Sequence, residues 1–265
     1  MTTLDDLFRG ALDDPAPLVA TSVFWLHHGT RLAGGDTTYL NQYVVVRVGR
    51  VFGACAFEPG ELTPAVCREA SGLPLSALLG EDRPLPLRTA ALDAYLAHAR
   101  PHRDDPSAEA VPLPHGTPEE RARARDAAIA GLLPAPEGRK VGLIGVVNPL
   151  VAAIRERGGE CLPCDFNLRA TQWGDPVTDA MTEVLDTADA VVATGMTIGN
   201  GTFGEILRRC RERGIPLVVY AQSGSAVARA LLGSGVTAVS AEPFPFSQFS
   251  ADPTVLYRYR VTSEA

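Results

Sequence analysis

Short apolar runs and apolar positions at helical spacing alternate along the chain, most regularly after residue 138. Lys140–Gly145, Glu160–Cys164, Asp189–Thr194, Pro216–Tyr220 and Thr237–Ser240 are largely apolar runs of strand length. Helix signals stand between them. Asn148-Pro149 opens a helix that closes at Gly158-Gly159, and Asp175-Pro176 opens a second. Thr202, with Glu205 at the capping-box position, starts a third, and Ser225–Leu232 forms a fourth. Continuous apolar strands separated by helices predict a parallel sheet covered on both faces. The fold class is therefore α/β: a Rossmann-like, mostly parallel sheet of five or more strands.

A small α+β module precedes it, over residues 1–100. Val19–His27, Tyr39–Val48 and Arg50–Phe57 read as strands, the last two joined near Gly49. Pro64–Gly72 and Leu87–Ala99 carry apolar residues at helical spacing. Residues 101–117, rich in proline and charge, are expected to be a linker in which no core forms. The Rossmann-like domain, 118–265, begins with a leading helix. Thr117 is its N-cap, Pro118 its first residue and Glu120 completes a capping box; the helix ends at Leu133-Pro134.

Charge narrows the partners. A net charge of −7 gives no general surface for neutralising phosphates, so no nucleic-acid partner is expected. Arg121, Arg123 and Arg125 form the one dense basic cluster; alternating with alanine on a helix, they read as a solvated face. The first residues lack the features of a signal peptide, and no 18-residue apolar run occurs. Five cysteines without framework spacing suit a reducing compartment. A cytoplasmic protein without a membrane partner is expected.

Ligands of open parallel sheets bind outside the carboxyl ends of the strands. Four loops fall there: Gly145–Asn148, Asp165–Gly174, Gly195–Thr202 and Ala221–Gly224. The first keeps one glycine of a dinucleotide fingerprint, Gly145, which argues against NAD. Asn148, before Pro149, is first an N-cap and second a ligand contact. Asp165 follows the second strand, where an acidic residue of a Rossmann-like domain accepts from ribose; a solvated loop aspartate is the alternative. The stretch Thr194-Gly195-Met196-Thr197-Ile198-Gly199-Asn200-Gly201-Thr202 combines flexible backbone with many donors ahead of a helix N-terminus, which suits an anion. There Thr202 is expected to cap the helix and Asn200 to meet the ligand.

These stretches resemble the DUF364 proteins, also called the heavy-metal chelation family. The similarity lies in VGLIGVVNPLVAAIRERGGECLPCDFN, ADAVVATGMTIGNGTFGEIL and PLVVYAQSGS. The family's T-G-x-x-x-x-N-x-T loop looks like Thr194, Gly195, Asn200 and Thr202, and its P-S or G-S loop like Ser223-Gly224-Ser225. The usual G-P-S is Q-S-G here. The resemblance implies a DUF4213-type, enolase-N-terminal-like module ahead of the Rossmann-like domain.

Metal binding by the chain's own residues is not expected. Cys161 and Cys164, three apart on a strand, project to opposite faces, and His27-His28 fails by the same alternation. Nucleophilic catalysis is not expected either: there is no G-x-S-x-G elbow, and no histidine follows His115 to serve Ser223 or Ser225. A positioning site remains. S-adenosylmethionine fits it as cofactor or substrate: ribose for Asp165, a carboxylate for a helix N-terminus, and a sulfonium for an aromatic face among Phe166, Trp173 and Tyr220. Trp173 is either a lid on the ligand or a loop anchor. Asn200, Trp173 and Tyr220 are the expected catalytic residues; Gly145, Asn148, Asp165, Phe166, Thr194, Gly195, Met196, Thr197, Thr202 and Ser223 are the expected binding residues. The expected activity is group transfer from the sulfonium, or a lyase-type displacement on it, in specialised metabolism. Alternatives are a non-enzymatic binder of metal chelates or siderophore-like compounds and an NAD-linked oxidoreductase. A homodimer would be ordinary for such a domain.

Overall fold

A computed structural model describes residues 2–14, 17–31 and 38–261. In chain order the N-terminal part holds α1 (Leu4–Asp13), β1 (Ser22–Arg31), β2 (Thr38–Val48), β3 (Val51–Ala56), α2 (Val66–Ala70), α3 (Leu75–Leu79) and α4 (Leu85–Ala99). A 3₁₀ turn at His102–Asp104 leads to β4 (Glu109–Leu113) and α5 (Pro118–Ala130). Then follow β5 (Lys140–Ile144), α6 (Asn148–Glu156), β6 (Glu160–Cys164), α7 (Met181–Thr187), β7 (Ala190–Thr194), α8 (Met196–Gly199) and α9 (Phe203–Arg213). The chain closes with β8 (Leu217–Ala221), α10 (Ser225–Ala230), β9 (Ala238–Ala241), a 3₁₀ turn at Ser247–Phe249, and β10 (Thr254–Arg260).

Strands β1, β2 and β3 form an antiparallel meander, with Gly49 in the left-handed region at the β2–β3 turn. The larger sheet has the order β4-β10-β9-β8-β7-β5-β6. Its five parallel strands, β6-β5-β7-β8-β9, are arranged 2-1-3-4-5, the doubly wound order in which the chain changes direction between β5 and β7. The antiparallel pair β10 and β4 extends the β9 edge.

Side chains alternate across this sheet. Val141, Leu143, Val192 and Val218 join one apolar cluster with Ile129 of α5 and Leu150 and Ile154 of α6. Ile144, Val191, Val219 and Val239 join the other, with Leu185 of α7, Phe203 of α9 and Val227 of α10. That second cluster continues without a break into Val44, Cys55, Leu78 and Leu92 of the N-terminal module. The module therefore shares a core with one face of the sheet and is not independent of it.

Three expectations need correction. The stretch 101–117 is no mere linker. It supplies β4, and His102, Asp105 and Leu113 are buried, because the segment threads between α10 and β10. Asp175-Pro176 does not open a helix. The Asp175 carboxylate accepts from Thr171 Oγ1 at 2.6 Å and pairs with Arg155 at 2.8 Å, Ala170 and Pro176 form a bridge, and α7 starts at Met181. Arg121 and Arg125 are not on a solvated face. Spaced i,i+4, they share one side of α5, Arg121 is 3% exposed, and Arg123 alone of the three is on the open side. The Thr117 capping box forms as expected, with both reciprocal bonds to Glu120.

Candidate functional site

The four loops named from the sequence lie at the carboxyl ends of β5, β6, β7 and β8, around the change of direction between β5 and β7. Beside them opens a cleft of about 1090 Å³, walled by the loops, the β1–β2 hairpin, α5 and the segment 242–251. A satellite pocket of about 60 Å³ adjoins it and shares Gly145, Asp165, Thr194 and Met196.

At the end of β5, Gly145 has φ +87°, and a Cβ there would run into the Thr194 side chain and stand 3.1 Å from the Tyr220 hydroxyl. Glycine thus serves close approach of β5 to β7 and β8. Asp165 lines the cleft, but its carboxylate already accepts from the Val146 (2.9 Å), Asn167 (2.8 Å) and Leu168 (3.1 Å) amides. It ties the β5 and β6 turns together, leaving one of about four acceptor positions for a ligand. Asn148 is not an N-cap. Val147 holds that place, and Asn148 is buried as the first helical residue, its Oδ1 accepting from the Gln172 amide.

The Thr194–Thr202 stretch is less open than its glycines suggest. Residues 196–199 form α8, with Thr197, Ile198 and Gly199 buried against the N-terminal module, and a Cβ at Gly199 would clash with Cys55. Thr197 Oγ1 donates to the Thr194 carbonyl. Thr202 makes no side-chain cap, and Glu205 pairs with Arg208 and Arg209 instead of completing a box. Asn200 is the stabilising residue: its Oδ1 accepts from the Thr202 amide (3.1 Å) and hydroxyl (2.7 Å). Thr202 is thus no side-chain cap, and Asn200 braces the turn ahead of α9. Asn200→Ala should cost about 1 kcal/mol of stability in denaturant melts, and Thr202→Ala less; a larger loss in Thr202→Ala would restore the original assignment.

The cleft wall formed by the N-terminal module is aromatic. His28 stacks on Tyr43 with planes 6° apart, and Phe249 meets the His28 edge at 5.5 Å between centroids. The Tyr43 hydroxyl donates to Gln222 Oε1, and the Tyr220 hydroxyl donates to the Gly145 carbonyl at 2.7 Å. Burial pushes both phenols above their ordinary values and pulls His28 below its own, with His27 adding to the latter, so all three are neutral at pH 7. Gln222 also donates to the buried Glu242, whose other oxygen accepts from the Ser247 amide at 2.5 Å. Arg125 lines the same cleft and pairs with buried Asp126 at 2.9 Å. Burial raises Asp126, and the Arg125 guanidinium opposes that rise. None of His28, Tyr43, Arg121, Arg125, Gln222 and Glu242 was singled out from sequence as a site residue. The i,i+4 arginine spacing was the available signal.

Of the expected residues, Gly145, Asp165, Thr194, Met196, Tyr220 and Ser223 line the cleft. Phe166, Thr197, Asn200 and Thr202 reach the satellite pocket. Asn148, Gly195 and Trp173 belong to neither: a Cβ at Gly195 would collide with the Ser223 carbonyl, and Trp173 lies under the Arg155 guanidinium at 5.3 Å. Trp173, 47% exposed, thus stands apart from both pockets. Ser223 Oγ accepts from the Ala56 amide, which joins the modules.

His102 precedes Ser225 in sequence, yet its Nε2 is 3.2 Å from Ser225 Oγ and its Nδ1 is 2.8 Å from the Tyr259 hydroxyl. Both His102 and Ser225 are buried outside the cleft, and burial together with Arg229 drives His102 down to about 3. The imidazole is therefore neutral, and His102, Ser225 and Tyr259 lie buried outside the cleft lining. Cys161 and Cys164 lie in the two clusters on opposite faces of the sheet. Among the described residues no three His, Cys, Asp or Glu side chains converge on a point that could hold a metal. No described helix is long and apolar enough to cross a membrane.

Residues 127–242 match the DUF364 family, described as "Putative heavy-metal chelation". Two solved structures resemble the whole chain, both DUF364 proteins of unknown function. That from Desulfitobacterium hafniense is 16% identical with a TM-score of 0.63, covering 97% of this chain and 99% of its own. That from Pyrococcus horikoshii is 16% identical with a TM-score of 0.62, covering 96% and 98%. At that identity the likeness establishes the fold. No curated protein matches the chain.

Proposed function

With residues 127–242 matching the DUF364 family, we propose that the chain is a cytoplasmic enzyme whose interdomain cleft binds S-adenosylmethionine or a related nucleoside and uses its sulfonium for group transfer or a lyase-type displacement. The observation that carries this reading is the place and lining of the cleft. It lies at the change of direction of a doubly wound sheet, where nucleotides bind, and its lining offers the stacked rings of His28 and Tyr43 from the hairpin, with Phe249 of the 247–249 turn set edge-on to His28. Flat aromatic faces suit both a purine and a sulfonium. The neutral phenols and imidazole suit a displacement that needs alignment more than proton transfer. Asp165 keeps one acceptor position for a ribose hydroxyl. The turn after β5 spends its Val146 amide on Asp165, which disfavours a dinucleotide pyrophosphate there.

Calorimetric titration with S-adenosylmethionine, adenosine and NADH tests the reading. Saturable binding of the first two is expected. Phe249, 43% exposed, can be truncated with little cost to the fold. Phe249→Ala should weaken nucleoside binding by about 1 kcal/mol, the scale of one aromatic contact. Absence of nucleoside binding to the wild type, or undiminished binding in the variant, would count against it.

A further inference from the structure

Two buried nitrogen atoms in residues of the cleft wall, Arg121 Nε and His28 Nε2, have no hydrogen-bond partner among the described residues, and Arg125 Nη1 makes no hydrogen bond among them. The Arg121 guanidinium donates through Nη1 to the Pro114 and Asp252 carbonyls and through Nη2 to Thr254 Oγ1. Its Nε, in a side chain that is 3% exposed, donates to nothing among the described residues. Arg125, one helical turn on, gives Nε and Nη2 to Asp126 and leaves Nη1 unused. From β1, His28 adds a buried Nε2 that is likewise unpartnered. All three residues line the cleft of about 1090 Å³. A buried N–H without an acceptor is costly, and a guanidinium is the side chain best shaped to meet an oxyanion. The acceptors that hold Arg121 carry no charge, so its guanidinium has no carboxylate of its own among them, whereas Arg125 pairs with Asp126 and also feels Glu242. Glu242, engaged by Gln222 and Ser247, is the acidic neighbour on the cleft floor.

We propose that the α5 wall of the cleft is an oxyanion subsite, in which Arg121 Nε and Arg125 Nη1 receive a carboxylate or phosphate group of the small molecule that occupies the cleft, with His28 Nε2 as a third donor in its N–H tautomer. This rests on the cleft being the ligand site and adds that the ligand is anionic at one end. It also gives the arginines a role that the strand-end loops do not supply, because the Thr194–Thr202 stretch is packed rather than open.

The test titrates the full chain with inorganic phosphate and with acetate, at constant ionic strength set by chloride, by calorimetry. Saturable binding of one of them is expected; phosphate preference marks a phosphorylated ligand and acetate preference a carboxylate. The double variant Arg125→Gln/Asp126→Asn removes the guanidinium without stranding a buried carboxylate, and should weaken that binding about tenfold or more. In the wild type, the bound anion should also protect Arg125 from phenylglyoxal, read by peptide mass, which needs no variant to fold. Lack of saturable binding by both anions, equal binding in the double variant, or unprotected Arg125 would each overturn the subsite. S-adenosylmethionine is titrated in parallel to separate the two readings. If it binds the double variant as tightly as the wild type, the subsite falls and the nucleoside reading stands. If the wild type takes the anion at Arg125 but no nucleoside, the subsite stands and the nucleoside reading falls.

Discussion

Gly53→Ala should destabilise the chain by about 4 kcal/mol or more, or prevent it from folding. Gly53 lies mid-strand in β3, directly under α4. A Cβ added there would lie 2.7 Å from Ala94 Cα and closer still to the Ala94 amide nitrogen and the Ala90 carbonyl oxygen. Those are main-chain atoms of a helix, so no rotamer change relieves the overlap; the strand and the helix must separate. Separation would open a core in which Ala90, Ala91, Leu92 and Ala94 are fully buried, and overpacking of such a contact costs more than one added methyl can return. The consequence reaches the cleft, because β3 pairs with β2, and β2 with β1 carries Tyr43 and His28. Gly204→Ala is the matched control. It adds the same methyl to a glycine with open space around its Cβ position, inside α9, and should be neutral or stabilising by up to about 1 kcal/mol. Urea melts of the two variants read the difference directly. A loss below about 1 kcal/mol for Gly53→Ala would show that β3 and α4 can move apart cheaply.

The parallel strands were legible because a strand covered on both faces needs an uninterrupted apolar run, and β5, β7 and β8 have one. β10 was not, since TVLYRYR alternates and keeps its arginines at the sheet margin, where Arg258 meets Glu109 of β4. β4 was hidden by its proline, tolerable only because β4 is an edge strand. Asp175-Pro176 carried the signature of a helix start, but Thr171 and Arg155 hold the aspartate in a turn, and those partners are close only after folding. The same holds for the site. Loop chemistry located the strand ends, whereas the cleft's aromatic lining and its arginines come from β1, β2, the 247–249 turn and α5, which share no motif with those loops. Chain order misled in one further case: His102 precedes Ser225 by more than a hundred residues and still reaches it.

Asp93 is the other residue whose loss should be large, and it holds the two sheets' modules together. It sits in α4, 1% exposed. Strand β3 is the edge of its sheet, and an edge strand leaves main-chain groups without partners. Here the Ala54 amide donates to Asp93 Oδ2 at 2.9 Å, the Ala54 carbonyl accepts from the Gly224 amide, and the Ala56 amide donates to Ser223 Oγ. Asp93 Oδ1 accepts in turn from the Ala226 amide at 2.7 Å and the Val227 amide at 3.4 Å, in the first turn of α10. One carboxyl group therefore satisfies the edge of the N-terminal sheet and the start of a helix of the C-terminal domain. Asp93→Ala strands those buried donors and should cost about 3–5 kcal/mol. The pH dependence gives a second handle. Burial pushes Asp93 up to about 7, against the pull of its three amide donors and Arg229. The folded chain then holds a proton that the unfolded chain releases near its ordinary value of 3.8, so stability from this group falls as pH rises between about 4 and 7. A shift of that size corresponds to at most about 4 kcal/mol. Asp93→Asn keeps the shape and one acceptor but cannot ionise. The stability of wild type minus Asp93→Asn, from urea melts, should therefore be greatest near pH 4 and shrink towards pH 7.5, with titrations elsewhere in the chain cancelling in the difference. A difference that grows with pH would mean that the amide donors outweigh burial and hold Asp93 ionised in the folded chain.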